Sequence, residues 1–297
     1  MGAGFATGKE INVYFHGKSL LSPLLSAALI GGFTALFLFI ARSQSARRFA
    51  ALDALTGLAA ATVFVAMAGC IKALTTSSIL GVCTAFSAAL IARRTATFDA
   101  ANLVLVLVII LAVIALSFGA TVPQYASIGL FSAITYSTMN FMTAARIILT
   151  DGAGANGRDI AFVSLGVALV LGVLTALMYV ATDGQNSAIP LLGRADALGL
   201  EWLALLVIYP AVFTTQLATA RVVQDCARLN GIYGAGVMLG LSCLGAALGF
   251  DRVVRYGYPF VSMLGAAYVL GVIIIAFYNK RRGPNARSEP RSLHYPR

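Results

Sequence analysis

Charged side chains are scarce in this chain. Only 11% of its 297 residues are Asp, Glu, Lys or Arg, whereas charged residues make up about 25% of a typical soluble domain. Hydrophobic residues make up 59% of the sequence, and the mean hydropathy is +0.87. This composition excludes an ordinary soluble domain and predicts an all-α polytopic membrane protein.

Residues that carry catalysis or bind metals are also few. The chain has two histidines, His16 and His294, and its four cysteines lie in separate apolar segments without metal-ligand spacing. It contains no His-Glu-x-x-His or Gly-x-Ser-x-Gly motif and no paired aspartates. We therefore expect neither an enzyme nor a resident cofactor, and we interpret the cysteines as packing residues.

Long apolar runs fill most of the sequence. A helix that crosses about 30 Å of hydrocarbon needs roughly 20 apolar residues. Nine segments meet this length and predict full transmembrane helices: 20–41, 53–74, 76–92, 98–118, 125–149, 160–182, 201–224, 232–249 and 257–278. A tenth piece, 6–16, precedes them and is long enough for half a crossing, so we number it helix 1 and the full spans helices 2 to 10.

Basic residues are distributed unevenly between the predicted loops. With the C-terminus in the cytoplasm, twelve lie on the cytoplasmic side and four on the other side. The twelve are Arg42, Arg47, Arg48, Arg93, Arg94, Arg146, Arg158, Arg221, Arg228, Lys280, Arg281 and Arg282, and the four are Lys18, Arg194, Arg252 and Arg255. This agrees with the positive-inside rule, so the net charge of +10 reflects topology rather than a nucleic-acid partner.

The N-terminus combines three glycines, Gly2, Gly4 and Gly8, with the charged pair Lys9 and Glu10. Glycines beside a buried acid are typical of the middle of a broken membrane helix, where unwound backbone approaches a ligand. Glu10 is the one acidic residue inside a predicted segment and away from its ends. It either forms a structural ion pair or cap, or takes part in gating or coupling. Neighbours on a helix point about 100° apart, so we expect Lys9 and Glu10 to have separate partners.

Ten helices with a break in the first predict an inverted repeat of five plus five helices. In one transmembrane domain, 1–278, the first repeat (1–118) lacks its first half-helix and the second covers 125–278; a basic, disordered cytoplasmic tail, 279–297, follows. Helix 6 is then the counterpart of helix 1 and is also polar at its centre, where Tyr136, Ser137 and Asn140 either line a substrate pocket or join helices. In helix 8, the hydroxyls of Thr214 and Thr215 either complete a cation shell or bond their own backbone.

Three motifs resemble the YkvI family of bacterial membrane proteins, relatives of the amino acid–polyamine–organocation transporters with the LeuT fold. The stretch Gly-Ala-Gly-Phe-Ala-Thr-Gly-Lys-Glu at 2–10 is similar to the family's Gly-Ala-Gly-Phe-Ala-Ser-Gly-Gln-Glu signature. Tyr-Ser-Thr-Met-Asn at 136–140 and Phe-Thr-Thr at 213–215 look like its Tyr-x-Ser-x-Asn and Phe-Thr-Thr regions. The sequence departs from the family at Lys9, where glutamine is usual, and in lacking the first half of helix 1.

The resemblance implies an ion-coupled secondary transporter that moves an amino acid or a related amine across the bacterial cytoplasmic membrane by alternating access. We expect its fold to be LeuT-like, with nine full transmembrane helices and the second half of a truncated helix 1. The expected substrate-binding residues are Gly2, Ala3, Gly4, Phe5, Tyr136, Ser137 and Asn140. Ala3, Gly4, Thr214 and Thr215 would bind the coupling ion, and Lys9 and Glu10 would gate the site or stabilise the break.

The coupling ion is expected to be sodium or a proton, because a lysine at position 9 could replace a sodium ion. The expected partners are a small-molecule substrate and the lipid bilayer, with no particular oligomeric state. The alternatives are a transport-inactive membrane sensor or scaffold that keeps the fold, and a truncated, non-functional product. The last alternative arises because the sequence begins inside helix 1, so Met1 need not be the true start.

Overall fold

The computed structural model describes residues 3–43, 46–92, 98–185 and 187–281. Within these ranges the regular structure is helical and contains no strand. The helices are α1 Ala3–Ala6, α2 Lys9–Phe15, α3 Leu21–Ser43, α4 Asp53–Thr75, α5 Ser78–Ile91, α6 Phe98–Ser117, α7 Leu130–Asp151, α8 Gly157–Thr182, α9 Pro190–Ala197, α10 Glu201–Cys226, α11 Gly231–Leu248, α12 Phe250–Arg252 and α13 Tyr258–Arg281. Short 3-10 turns cover Ala46–Leu52 and Gly152–Gly154, and a π turn covers Val253–Gly257.

Among the described residues, six helices are long and apolar enough to cross a membrane: α3, α4, α8, α10, α11 and α13, with α4 extended by its preceding turn and α13 by α12 and the π turn. This is the architecture of a helical membrane protein. Each of the nine predicted full segments overlaps a helix, and the predicted half segment 6–16 overlaps α2, with only its first residue, Ala6, in α1. The predicted tail beyond residue 281 lies outside the described residues.

Two of the nine predicted segments are shorter than expected. Helix α5 has 14 residues and therefore spans about 21 Å at 1.5 Å per residue, less than the roughly 30 Å of a hydrocarbon core. Helix α7 begins at Leu130 rather than 125, because the chain turns at Gly119 (φ +71°) and is non-helical over 120–129. The polar middle of α7 lowers its hydropathy and explains why it is not among the six helices named above.

The long helices form two packing sets. Helix α3 packs mainly against α7 and α8, which we call the α3 set, and α4 packs mainly against α5, α10 and α11, the α4 set. Helix α6 contacts α8 and α10, and α13 contacts α7 and α4, so both connect the two sets. The two short helices at the start of the chain pack against different sets: α1 contacts α4 and α10, whereas α2 contacts α7 and α8.

Glycines allow close helix contacts within the α4 set and between α4 and α12. A Cβ at Gly69 of α4 would lie 2.7 Å from the Phe250 amide nitrogen, and one at Gly245 of α11 would collide with the Val65 carbonyl. A Cβ at Gly81 of α5 would lie 2.7 Å from the Ala68 carbonyl oxygen. Small residues at helix contacts are the usual means of close packing in membrane proteins.

Candidate functional site

Thr7 and Gly8 separate α1 from α2. Gly8 has φ +76°, in the left-handed region that favours glycine, and a Cβ there would lie 2.5 Å from Cγ2 of Thr182. The Thr7 hydroxyl donates to the Gly4 carbonyl at 2.7 Å and accepts from the Lys9 amide at 3.3 Å. The break is therefore a defined turn, held by its own hydrogen bonds.

The unwound stretch is shorter than the predicted 2–8. Residues Ala3–Ala6 form the helical turn α1, and Gly2 lies outside the described residues. The Gly4 carbonyl accepts from Thr7, and the carbonyl of the buried Phe5 accepts from the Gly8 amide at 2.9 Å. Both carbonyls already have a donor, so their expected contact with substrate or ion, like that of Ala3, stays a prediction.

Lys9 and Glu10 point in different directions, as expected for neighbours on a helix. The Lys9 ammonium lies 2.7 Å from Oδ1 of Asp251 in α12 and 3.5 Å from the Ser187 carbonyl. Glu10 is 3% exposed, and its carboxyl lies directly against Gly4. A Cβ at Gly4 would lie 2.5 Å from Cδ of Glu10, so only glycine leaves room for the carboxyl in this position.

Glu10 lies among three buried tyrosines on three helices: Tyr14 of α2, Tyr136 of α7 and Tyr258 of α13. The rings of Tyr14 and Tyr136 are 5.4 Å apart, and the Tyr14 hydroxyl is 2.8 Å from Oγ of Ser262. We use the name Glu10 pocket for the group formed by Glu10, the three tyrosines and Ser262. Oε2 of Glu10 and the hydroxyls of Tyr136 and Tyr258 are buried without a hydrogen-bond partner among the described residues. Unpaired buried polar atoms are costly and uncommon, which marks this pocket as the candidate site.

The predicted polar residues of α7 have different surroundings. Tyr136 belongs to the Glu10 pocket, whereas the Ser137 hydroxyl donates to the Ser26 carbonyl of α3 at 3.0 Å. The Asn140 amide donates to the Tyr136 carbonyl at 3.1 Å, within α7. Ser137 therefore joins two helices, which was one of its two expected roles, and α7 passes the site as a continuous helix.

Thr214 and Thr215 lie on α10, the helix that contacts α1. Both hydroxyls donate to the Ala211 carbonyl, at 3.2 and 2.7 Å. This is the backbone bonding common for threonine in helices. A hydroxyl that donates one bond keeps lone pairs for a cation, so the coupling-ion role of these residues stays a prediction. The described residues contain no group of three His, Cys, Asp or Glu side chains that could hold a metal.

Helix α9 covers the break from one end of the molecule, where α2 and α8 end; we call it the Asp183 end. The Leu191 amide donates to the Thr7 carbonyl at 3.0 Å, and the Asn12 amide group donates to the Gln185 carbonyl at 2.8 Å. Hydropathy indicates only a loop over 183–201 and does not reveal this helix. The available signal was Pro190, since proline is favoured at the first helical position.

Polar side chains join three segments at the Asp183 end. Nδ1 of His16, which follows α2, lies 3.2 Å from Oδ1 of Asp183. The Tyr125 hydroxyl donates to Oδ2 of Asp183 at 3.2 Å, and the negative carboxylate raises the pKa of this phenol above its ordinary value. These contacts tie the end of α2 to the end of α8 and to the non-helical 120–129 segment.

A second ion pair lies at the opposite end of the molecule. Arg146 of α7 lies 3.0 Å from Oδ2 of Asp53 in α4, and its guanidinium also donates to the Cys226 sulfur at 3.1 Å. This pair joins the α3 set to the α4 set. The Lys9–Asp251 pair does the same at the Asp183 end, because α2 contacts the α3 set and α12 contacts α4.

Comparison with known proteins gives no match, either to a protein-family profile or to a curated protein. The resemblance of residues 2–10 to the YkvI signature therefore remains an expectation from the sequence. Function has to be inferred from the Glu10 pocket, the helix break beside it and the two ion pairs.

Proposed function

We propose that this protein is an ion-coupled secondary transporter of a small solute, an amino acid or a related amine, that works by alternating access. The observation that carries the proposal is the helix break at Thr7 and Gly8 beside the buried Glu10 carboxyl, where the two packing sets meet. Interrupted helices and ionisable groups at membrane depth are features of solute and ion sites in transporters.

The helix contacts support a LeuT-like inverted repeat. In a five-plus-five arrangement α3 is equivalent to α8, α4 to α10 and α5 to α11, and the members of each pair contact each other. Helices α6 and α13 are also equivalent, and each connects the α3 set to the α4 set. Rocking of one set against the other would expose the Glu10 pocket to one side of the membrane at a time.

The two ion pairs supply gates for such a motion. Lys9–Asp251 joins the sets at the Asp183 end, and Asp53–Arg146 joins them at the other end. With the C-terminal tail in the cytoplasm, as the basic residues favour, the Asp183 end faces outward. In the arrangement described above both gates are closed, and the pocket is sealed between them.

Uptake into proteoliposomes tests the proposal. The purified protein would be offered a panel of labelled amino acids and amines, under an inward sodium gradient or an inward proton gradient. We expect accumulation of at least one solute under one gradient. Tyr136→Phe, which removes a buried hydroxyl of the Glu10 pocket, should weaken uptake, whereas Tyr256→Phe, the same change at a side chain that is 72% exposed, should not.

Absence of uptake by folded protein under both gradients would refute transport of these solutes. Ligand-dependent conformational change without flux would then identify the sensor or scaffold alternative. Equal uptake by both tyrosine variants and the unmodified protein would instead show that transport does not depend on the Glu10 pocket.

A further inference from the structure

Glu10 has no countercharge among the described residues. The neighbouring Lys9 is engaged by Asp251 at 2.7 Å, and no ion pair to Glu10 forms within the described ranges. Within the described ranges, the titratable groups around it are neutral phenols: Tyr14 from its own helix, Tyr136 from α7 and Tyr258 from α13; the N-terminal ammonium, the one charged group that acts on Glu10, lies outside these ranges. Cys70 of α4, also neutral in its ordinary state, is the next titratable group beyond Tyr258.

A carboxylate in these surroundings is unfavourable. A charged side chain at the centre of a membrane helix costs at least about 2.5–3.5 kcal/mol on insertion scales, and phenol hydroxyls offset only part of this. The carboxylic acid is neutral and brings a hydroxyl of its own, which can donate to a neighbouring oxygen. Oε2 of Glu10 and the hydroxyls of Tyr136 and Tyr258 are left without partners among the described residues, and a protonated carboxyl can pair with these hydroxyls without burying a net charge.

We propose that Glu10 binds the proton that drives the transport cycle. This rests on the proposed function and selects the proton, rather than sodium, as the ion at this carboxyl. The proton adds to the Glu10 carboxylate from water when the site is open to one side and leaves to water on the other side. No bond other than the carboxyl O–H forms or breaks.

The contact with Gly4 links the proton to the shape of the first helix. In the closed arrangement the carboxyl lies against the Gly4 backbone, away from water. Loss of the proton creates a charge that requires water or a cation, so the carboxylate has to leave this position. Glu10 belongs to α2 and Gly4 to α1, so a movement of the two half-helices away from each other separates the carboxylate from Gly4.

Infrared spectroscopy of the full chain in lipid nanodiscs tests proton binding without a substrate. The carbonyl stretch of protonated carboxyl groups would be followed as the pH is raised. A free glutamate loses its proton near pH 4.3. If Glu10 holds its proton as proposed, one protonated carboxyl band should persist at neutral pH. Glu10→Gln should remove it, whereas Glu201→Gln, the same change at an exposed position, should leave it.

A second variant keeps the test decisive if Glu10→Gln does not fold. Tyr258→Phe removes a neutral hydroxyl beside the carboxyl and should shift the frequency of the persistent band. Loss of every carboxyl band from the unmodified protein between pH 4 and 5, near the ordinary value of about 4.3, would overturn the proposal. Loss of the band on replacing choline chloride by sodium chloride at neutral pH would also overturn it, because sodium would then replace the proton.

Transport assays separate this inference from the proposed function. With a solute found in the uptake panel, Glu10→Gln should abolish accumulation driven by a pH gradient but retain exchange of labelled for unlabelled solute. Gradient-driven accumulation by Glu10→Gln would overturn the role of Glu10 and leave transport intact. Absence of any uptake by the unmodified protein would refute transport, and with it coupling, while the infrared band still reports whether Glu10 holds a proton.

Discussion

Gly8 is the residue on which the break in the first helix depends most directly, and Gly8→Ala measures that dependence. Two costs add. An L residue at φ +76° is strained by about 1–2 kcal/mol, and the new Cβ would lie 2.5 Å from Cγ2 of Thr182, an overlap worth about 1–3 kcal/mol in a packed core. We expect Gly8→Ala to lower the free energy of unfolding by about 2–5 kcal/mol.

Gly17 provides a matched control. It has φ +70°, but nothing lies within 4 Å of the position that a Cβ would take, so Gly17→Ala should cost only the strain of about 1–2 kcal/mol. Thr182→Ser removes the colliding Cγ2 and keeps the hydroxyl that donates to the Met178 carbonyl at 2.7 Å. In this background Gly8→Ala should cost little more than Gly17→Ala.

Reversible unfolding of the purified protein in mixed micelles, titrated with a denaturing detergent, gives the required free energies. The difference between the two alanine variants isolates the contact of Gly8 with Thr182. Equal costs at Gly8 and Gly17 would refute the close approach of the break to α8. If Thr182→Ser does not recover any of the unfolding free energy lost in Gly8→Ala, the cost of that substitution does not come from contact with Cγ2 of Thr182.

The packing contacts make three further predictions. A double-mutant cycle of Lys9→Met and Asp251→Asn should give a coupling energy of about 1 kcal/mol or less, since Asp251 is 45% exposed. The coupling energy should decrease as salt is added, and a value independent of salt would contradict a partly exposed ion pair. Asn156→Ala removes the capping box of α8 and should lower the unfolding free energy by about 1 kcal/mol; an unchanged value would exclude the cap. Gly245→Ala drives a Cβ into an α4 carbonyl and should cost about 1–3 kcal/mol, whereas Gly240→Ala, with open space around it, should not destabilise; equal effects would refute the close α4–α11 contact.

Helix positions could be predicted from the sequence because long apolar runs are required by the bilayer and leave few alternatives. Helix ends depend on local backbone geometry that hydropathy does not report. Thr76 adopts φ +57° and ends α4, and the Ser77 side chain then caps α5 by accepting from the Leu80 amide at 3.3 Å. Hydropathy alone merged this turn into the predicted 76–92 segment and made α5 too long.

The centre of the candidate site could be predicted because it contains residues that are rare in apolar segments. Glu10 stood out because acids inside apolar segments are uncommon, and Gly8 stood out beside it. Their partners could not be predicted, since these come from distant parts of the chain. Asp251 resembled an ordinary loop residue and Tyr258 an ordinary start of a helix. Only the packing of the π turn Val253–Gly257, which connects α12 to α13, against α2 brings them to Lys9 and Glu10.

The position of the break determines how a proton on Glu10 could be exposed to each side separately. Toward the Asp183 end the carboxyl is covered by its own half-helix, α2, which Lys9–Asp251 holds in place. In the other direction it is covered by α1, whose Gly4 lies against the carboxyl and which contacts α4 and α10. A continuous helix would move both covers together, whereas a turn at Thr7 and Gly8 lets one half-helix move while the other stays packed. In the proposed transport cycle, the break between Gly4 and Glu10 therefore allows this carboxyl to be exposed to each side in turn.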